Sequence, residues 1–209
     1  MQHLTKLFKL IELTRSQPQT GYALAGIAKQ DLSDLAQHHY LVSFIAWQLA
    51  RNLKAAGADI NVEKVLEFAM IHDLGELLGG DISMPYAKAN PRAYRLAKQF
   101  ESENQRYLTR FFGKTSKHYK FLGQEILKAK SDEAIIAKIA DYLEVVYYKA
   151  YVGLMTSGDV EMSVNKIRRN IKKLKDKVAK AELEKFMGPW SKEMKEHRNR
   201  EFFEDAKGS

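Results

Sequence analysis

A short apolar stretch of the chain carries an unusual concentration of groups that can bind protons or metal ions. His72 and Asp73 are adjacent, Glu76 follows within about one helical turn, and Asp81 comes directly after two glycines. Buried helices normally carry no such groups, because a buried charge is costly unless it is paired or bound to a metal. Imidazole nitrogens and carboxylate oxygens together suit a divalent cation. The stretch therefore predicts a metal site.

Two residues elsewhere in the chain could complete this site. His38 lies on the apolar face of its predicted helix, and Asp141 interrupts a strongly apolar later helix. Each has an ordinary alternative, because His38 could be a buried core histidine and Asp141 a boundary residue in water. Together with His72 and Asp73 they offer two nitrogens and two oxygens from three helices. The neighbouring His39 lies about 100° further round its helix, and we expect it to point elsewhere.

The elements that must position these residues are predicted to be helices throughout, because apolar residues recur at steps of three and four. The predicted helices cover about residues 4–11, 33–57, 62–78, 91–112, 117–128, 132–155 and 164–178, with a final charged helix after Gly188 and Pro189. A polar loop is expected over residues 16–33. This pattern predicts an all-α chain with a helical-bundle core over 1–157 and a basic helical extension over 158–209, packed on the core or on a partner subunit.

Composition limits the partners and the surroundings of the protein. The 209 residues carry a formal net charge of +8, which favours anionic partners such as nucleotides or nucleic acids. No apolar run approaches the roughly 18 residues that span a bilayer, and the first residues do not resemble a signal peptide. We therefore expect a cytoplasmic protein with no membrane partner. The absence of cysteine excludes thiolate metal ligands and disulfides.

The order and spacing of the candidate site residues resemble a known family, the HD-domain metal-dependent phosphohydrolases. The matching segments are Gln37-His38, then His72-Asp73-Leu74-Gly75-Glu76 with Gly80-Asp81, and then Ala140-Asp141-Tyr142-Leu143-Glu144. Within the family the pattern is most similar to the compact 5′-deoxynucleotidase branch, over about residues 4–149. The resemblance implies a single helical bundle of the HD type.

The resemblance also implies roles for individual residues. His38, His72, Asp73 and Asp141 would bind the divalent metal ion, which could be Mn, Co, Mg, Zn, Ni or Fe.

In the same resemblance, Glu76 would handle protons for a metal-activated water, and Asp81 would lie against the sugar or the leaving oxygen. A continuous helix over 62–78 would place Glu76 on the same face as His72. Glu76 could instead orient His72, and Asp81 could cap the following turn. The implied reaction removes phosphate from (deoxy)nucleoside 5′-monophosphates.

The chain departs from the family pattern at Gln37, where relatives usually carry a glutamate, and in one further segment. Relatives carry a loop that reads roughly R-T-G-W and binds phosphate through its arginine, whereas this chain has Gln19-Thr20-Gly21-Tyr22. Glutamine cannot offer the charged, two-pronged donor that suits phosphate. Arg15 and Lys29 are candidate substitutes, and Tyr22 could either stack on a base or pack in the core.

Two alternatives stay open at this point. The same metal site could act on nucleoside triphosphates or signalling nucleotides. A nucleic-acid-binding module could instead use the basic helix predicted over 164–178, although no common RNA- or DNA-binding motif is evident. The apolar stripe of that helix must pack on something, and helical phosphohydrolases of this type commonly associate. We therefore also expect a homodimer.

Overall fold

The computed structural model describes residues 2–80 and 82–196, and the regular elements in these ranges are all helical, as predicted. The α-helices are α1 (Gln2–Glu12), α2 (Leu35–Ala55), α3 (Val62–Ile71), α4 (Met84–Ala89), α5 (Pro91–Leu108), α6 (Ser116–Lys128), α7 (Asp132–Tyr151), α8 (Ser157–Ile171) and α9 (Lys177–Glu196). Short 3₁₀ turns join several of them, including Leu74–Leu78. None of the described helices is long and apolar enough to cross a membrane.

The core lies around α7, whose apolar residues face neighbours on several sides. Ile135, Ile139 and Leu143 are fully or almost fully buried, and they belong to one cluster with residues of α2, α3, α6, α8 and α9. Side-chain caps fix where the central helices begin. Asp34 accepts a hydrogen bond from the first turn of α2, and Ser131 does the same for α7. These caps fix the first residues of α2 and α7, which pack together in the core.

The C-terminal helices pack into this same cluster. Val164 and Ile167 of α8 and Leu183, Met187 and Trp190 of α9 are all buried in it. This packing covers the outer side of α7. The division of the chain into a core and an extension at residue 157 stays a prediction.

The helix predicted over 62–78 is wrong in its second half. Helix α3 ends at Ile71, and the chain continues through His72 and Asp73 into the 3₁₀ turn. Side-chain amides of α5 satisfy the backbone carbonyls released at this point, because Asn104 donates to Gly75 O and Gln105 donates to Ile71 O. Tertiary contacts from a distant helix therefore end α3, and no local residue signals it.

Helix α5 also lies close to the turn that follows α3. A Cβ on Gly75 would lie 3.1 Å from the carbonyl oxygen of Glu101, and a Cβ on Gly79 would collide with the ring of Phe100. Only glycine allows this approach at Gly79. Helix α4, which the sequence analysis missed, lies between this turn and α5.

The helix predicted over 164–178 is also wrong, because α8 ends at Ile171 and α9 begins at Lys177. The carboxylate of Asp132 accepts hydrogen bonds from the backbone N–H groups of Lys175 and Asp176 in the turn between them. Asp176 then caps α9 by accepting from Ala179 N at 2.7 Å, and it also accepts from Asp59 N. The basic residues assigned to one helix are thus divided between two helices and a turn.

The break predicted at Gly188 and Pro189 is absent from α9, which runs through both residues to Glu196. Proline removes one backbone donor and crowds the carbonyl four residues earlier. Gly188 and Pro189 lie on the exposed face of α9, where water can satisfy that carbonyl. Met187 and Trp190 on either side are buried, and their packing holds the helix together across the proline.

We predict that Asp176→Ala lowers the free energy of unfolding by about 1–2 kcal/mol, because it removes the cap of α9 and the acceptor for Asp59 N. Chemical denaturation measures the change. Glu161→Ala, at an exposed position of α8, is the control and should change stability by less than about 0.5 kcal/mol. Equal stability of the two variants would show that this turn does not need its side-chain cap.

Candidate metal centre

The structure brings four of the sequence-predicted site residues together. One donor atom from each of His38, His72, Asp73 and Asp141 can be chosen so that all four lie within 4.8 Å of one another. His38 comes from the start of α2, His72 and Asp73 from the end of α3, and Asp141 from the middle of α7. Both histidines are buried, and both aspartates are half-buried. Three helices therefore converge on one small polar cluster.

Hydrogen bonds determine which ring nitrogen of each histidine faces the cluster. His72 Nδ1 lies 2.8 Å from the backbone carbonyl oxygen of Ala69, which can only accept, so Nδ1 carries the proton. His38 Nδ1 donates to Glu144 Oε2 at 2.8 Å in the same way. The two Nε2 atoms then face each other at 3.1 Å. Two neutral imidazoles in this arrangement would point lone pairs at each other unless a cation lay between them.

The electrostatics of the cluster also favour positive charge. Burial lowers the pKa of His38, but hydrogen bonds to Asp73 and Glu144 outweigh it and hold that pKa well above its ordinary value. Burial raises the pKa of Asp73, yet His72, His38 and Lys138 bring it well below the usual range. Asp73 is therefore an ionised carboxylate that is available as a ligand.

The distances within the cluster come close to those around a shared metal ion. Asp73 Oδ2 lies 3.3 Å from His72 Nε2 and 3.6 Å from His38 Nε2, and Asp141 Oδ1 lies 3.7 and 3.9 Å from the Nε2 atoms of His38 and His72. Ligand atoms about 2.1 Å from a common ion lie about 3.0–3.4 Å apart at octahedral or tetrahedral angles. The distance between Asp73 and His72 falls in this range, and the other three exceed its upper end by up to about 0.5 Å. The nitrogen and oxygen donors match the preferences of divalent ions.

Glu144 has a role that the sequence analysis missed. The segment that resembles the family included it, but no function was assigned to it. Glu144 is buried, with 2% of its surface exposed, and it accepts a hydrogen bond from His38 Nδ1. The signal in the sequence is a carboxylate three residues after Asp141 on an otherwise apolar helix. Such a carboxylate orients a ligating imidazole and increases its basicity.

The expectation that His39 points away from the site is wrong. Its ring centroid lies 5.0 Å from that of His72 and 6.1 Å from that of His38. Burial, together with the neighbouring His72, holds the pKa of His39 well below its ordinary value. Its Nε2 atom is buried without a hydrogen-bond partner among the described residues. The ring is therefore a neutral neighbour of the cluster.

Glu76 lies on the turn that follows His72 and Asp73 in sequence. The argument from a shared helical face fails, because the chain between His72 and Glu76 is not a continuous α-helix. Glu76 sits on the 3₁₀ turn and lines a small cavity that Tyr94, Lys98 and Glu101 also line. Asp81, the other predicted catalytic residue, lies outside the described residues.

The candidate substrate-binding residues before α2 differ in burial: two are exposed and two are buried. Arg15 is on the surface, with 72% of its side chain exposed, and pairs with Glu12. Lys29 is also exposed. Gln19 is buried, and its amide nitrogen has no partner among the described residues. Tyr22 is buried against Tyr148, with ring centroids 4.8 Å apart, which favours the packing role over stacking on a base.

Tyr148, on α7, also forms hydrogen bonds with this loop. Its hydroxyl accepts a hydrogen bond from Ser33 N at 2.8 Å and donates one to Asp31 O. The loop that precedes α2 is therefore tied to the helix that carries Asp141 and Glu144.

The described residues thus form an all-α bundle in which two histidines and two aspartates converge at a site that could hold a metal ion. A family model described as HD domain matches residues 11–196. The chain therefore belongs to the HD-domain family, and it is an HD-domain phosphohydrolase close to the 5′-deoxynucleotidase branch.

Curated relatives support this assignment at modest identity. A Dictyostelium discoideum protein named 5′-deoxynucleotidase HDDC2 is 25% identical over 148 residues, which cover 70% of this chain and 75% of the relative. A 5′-deoxynucleotidase of Yersinia pestis is 30% identical over 113 residues, which cover 53% of this chain and 56% of the relative. The second match thus spans little more than half of either protein.

Solved structures agree on the fold. A conserved hypothetical protein from Pyrococcus furiosus has a TM-score of 0.67 at 24% identity, covering 92% of this chain and 99% of that one. A protein of Pyrococcus horikoshii also has a TM-score of 0.67, at 23% identity, covering 90% and 98%. These similarities extend through the C-terminal helices.

We predict that Glu144→Gln weakens divalent-metal binding by about 10- to 100-fold, because the amide no longer orients and polarises His38 as a carboxylate does. Competition with a fluorescent chelator measures the affinity. Glu133→Gln, on the first turn of the same helix, is the matched control and should bind metal as the unmodified chain does. Unchanged affinity in Glu144→Gln would mean that His38 needs no carboxylate partner.

Proposed function

We propose that the protein removes phosphate from (deoxy)nucleoside 5′-monophosphates, with release of the nucleoside. The observation that carries this proposal is the pair of histidine Nε2 atoms 3.1 Å apart, flanked by two aspartates. Membership of the HD-domain phosphohydrolases supports hydrolysis of a phosphoester. The names of two relatives support the nucleotide substrate class.

In this proposal His38, His72, Asp73 and Asp141 hold one divalent cation. Such an ion, when bound, lowers the pKa of water and neutralises charge on the phosphate. Ala69 and Glu144 keep the ring nitrogens of the two histidines turned toward it. Mn, Co, Mg, Zn, Ni and Fe are all compatible with a mixed nitrogen and oxygen site, and supply often decides among them.

Two carboxyl groups move the protons. Glu76 accepts a proton from the water as the new bond to phosphorus forms, a role that its half-buried position beside the cavity supports. The bond between phosphorus and the 5′-oxygen then breaks, and this oxygen needs a proton to leave as the hydroxyl of the nucleoside. We assign that proton to the carboxyl group of Asp81, from its spacing of nine residues after His72.

A second substrate class has one specific observation in its favour. The family resemblance implies a phosphate-binding arginine at the position of Gln19, and Gln19 is buried rather than open to solvent. The chain could therefore recognise a nucleotide in a different way, and the substrate could be a nucleoside triphosphate or a signalling nucleotide. The products distinguish the two classes, since triphosphates would give pyrophosphate or triphosphate as well as phosphate.

We predict metal-dependent release of phosphate from deoxynucleoside 5′-monophosphates by the purified protein. Each nucleotide is assayed with Mn²⁺, Co²⁺ or Mg²⁺ and again with excess chelator, and the products are resolved by chromatography. Asp73→Asn should abolish release, because it removes a charged ligand from the cluster. Asp59→Asn, at an exposed position between α2 and α3, should retain full activity. A complete absence of metal-dependent hydrolysis across mono- and triphosphates would refute the proposal.

We also propose that two copies of the chain associate through the outer face of α2. Tyr40, Phe44 and Trp47 recur at steps of four and three on this face and are exposed. Beside them, α2, α7 and α9 line a groove of about 490 Å³ that includes Phe186. A contiguous exposed apolar surface of this kind is typical of a protein interface. A second copy is the occupant that we expect.

Phe44→Glu should convert the dimer to a monomer, because it places a charge in the centre of the apolar face. Size-exclusion chromatography with light scattering measures the mass at several protein concentrations. Lys54→Glu at the end of the same helix is the control and should leave the mass unchanged. A monomeric unmodified protein at the highest concentration would contradict this proposal.

A further inference from the structure

Lys138 is a half-buried cation beside the metal cluster, and the proposed function does not yet give it a role. It lies on α7 three residues before Asp141, so both side chains lie on the same side of the helix. Its side chain is only 19% exposed, and Nζ lies 4.0 Å from Asp73 Oδ1. Within the described part of the chain, no acceptor lies at hydrogen-bonding distance from this ammonium group. Three N–H donors are therefore available.

Lys138 shares its nearest carboxylate with the donor cluster. Asp73 Oδ1 lies 4.0 Å from Lys138 Nζ, beyond hydrogen-bonding distance, and Asp73 is also one of the four proposed metal ligands. The N–H donors of Lys138 are therefore not used by Asp73, and an anion that enters the site can accept from them.

The two oxygens of Asp73 show where such an anion would lie. Oδ2 faces the histidine nitrogens, at 3.3 Å from His72 Nε2, whereas Oδ1 faces Lys138. The donor cluster and the ammonium group thus lie on two sides of a single carboxylate. An anion that approaches the cluster lies within reach of both.

We propose that Lys138 binds a non-bridging oxygen of the substrate phosphate. This inference rests on the proposed function, because the anion it assigns is the phosphate of the nucleotide. An ammonium group is a compact point charge with freely placed donors, which suits one phosphate oxygen rather than a two-pronged contact.

Lys98 provides an internal comparison. It lies on α5 near the same site and lines the cavity beside Glu76. Its Nζ lies 2.6 Å from Glu101 Oε2, so its charge is already paired, and half of its side chain is exposed. Loss of Lys98 should therefore affect phosphate binding less than loss of Lys138.

The test measures binding of inorganic phosphate to the Mn²⁺-loaded full chain by isothermal titration calorimetry, which does not depend on turnover. Lys138→Met should weaken phosphate binding by about 10- to 100-fold, the range expected for a charged hydrogen bond. Lys138→Arg should restore most of the affinity, and Lys98→Met should change it by less than about threefold. Lys54→Met, about 24 Å along α2 from His38, controls for net charge.

Mn²⁺ affinity and thermal unfolding are measured for every variant, and Lys138→Gln serves if the methionine variant does not fold. The proposal requires weaker phosphate binding at unchanged Mn²⁺ affinity. Equal phosphate affinity in Lys138→Met or Lys138→Gln and in the unmodified chain would overturn it. A loss explained entirely by weaker Mn²⁺ binding would also overturn it, since Lys138 would then only position Asp73. If the proposed hydrolysis fails, phosphate binding that depends on Lys138 would still stand.

Discussion

The separation of 3.1 Å between His38 Nε2 and His72 Nε2 is the constraint on which the site depends. Glu144 and the carbonyl of Ala69 hold the opposite nitrogens, so neither ring can turn away without losing a buried hydrogen bond. The buried hydrogen bonds thereby keep two acceptors, the Nε2 atoms of His38 and His72, close together. A positive charge near the two Nε2 atoms removes the repulsion between their lone pairs.

The bundle supplies the rigidity that this constraint needs. Each of the three ligand-bearing helices packs against the other two, and α8 and α9 cover the outer side of α7. The contacts of α5 with the chain after α3 are equally important, because they end that helix where His72 and Asp73 must leave its axis. Precise ligand positions thus depend on side chains such as Asn104 that are far from the ligands in sequence.

The helical class could be predicted from local periodicity. Residue type made the four donors candidates, and the family resemblance implied that they form one site. The ends and turns of helices could not be predicted from the sequence where contacts with other helices override local preference. The end of α3, the turn at Asp176 and the passage of α9 through Pro189 each depend on partners from another helix. His39 was misplaced for the same reason, since packing around α2 decides where its ring lies.

The tyrosine hydroxyl that spans two backbone groups of the loop before α2 has a mechanical consequence. Tyr148 ties Asp31 and Ser33 to α7, so the segment that carries Gln19 and Tyr22 is anchored to the helix that carries Asp141. That loop therefore cannot move without breaking its contacts with Tyr148 on α7.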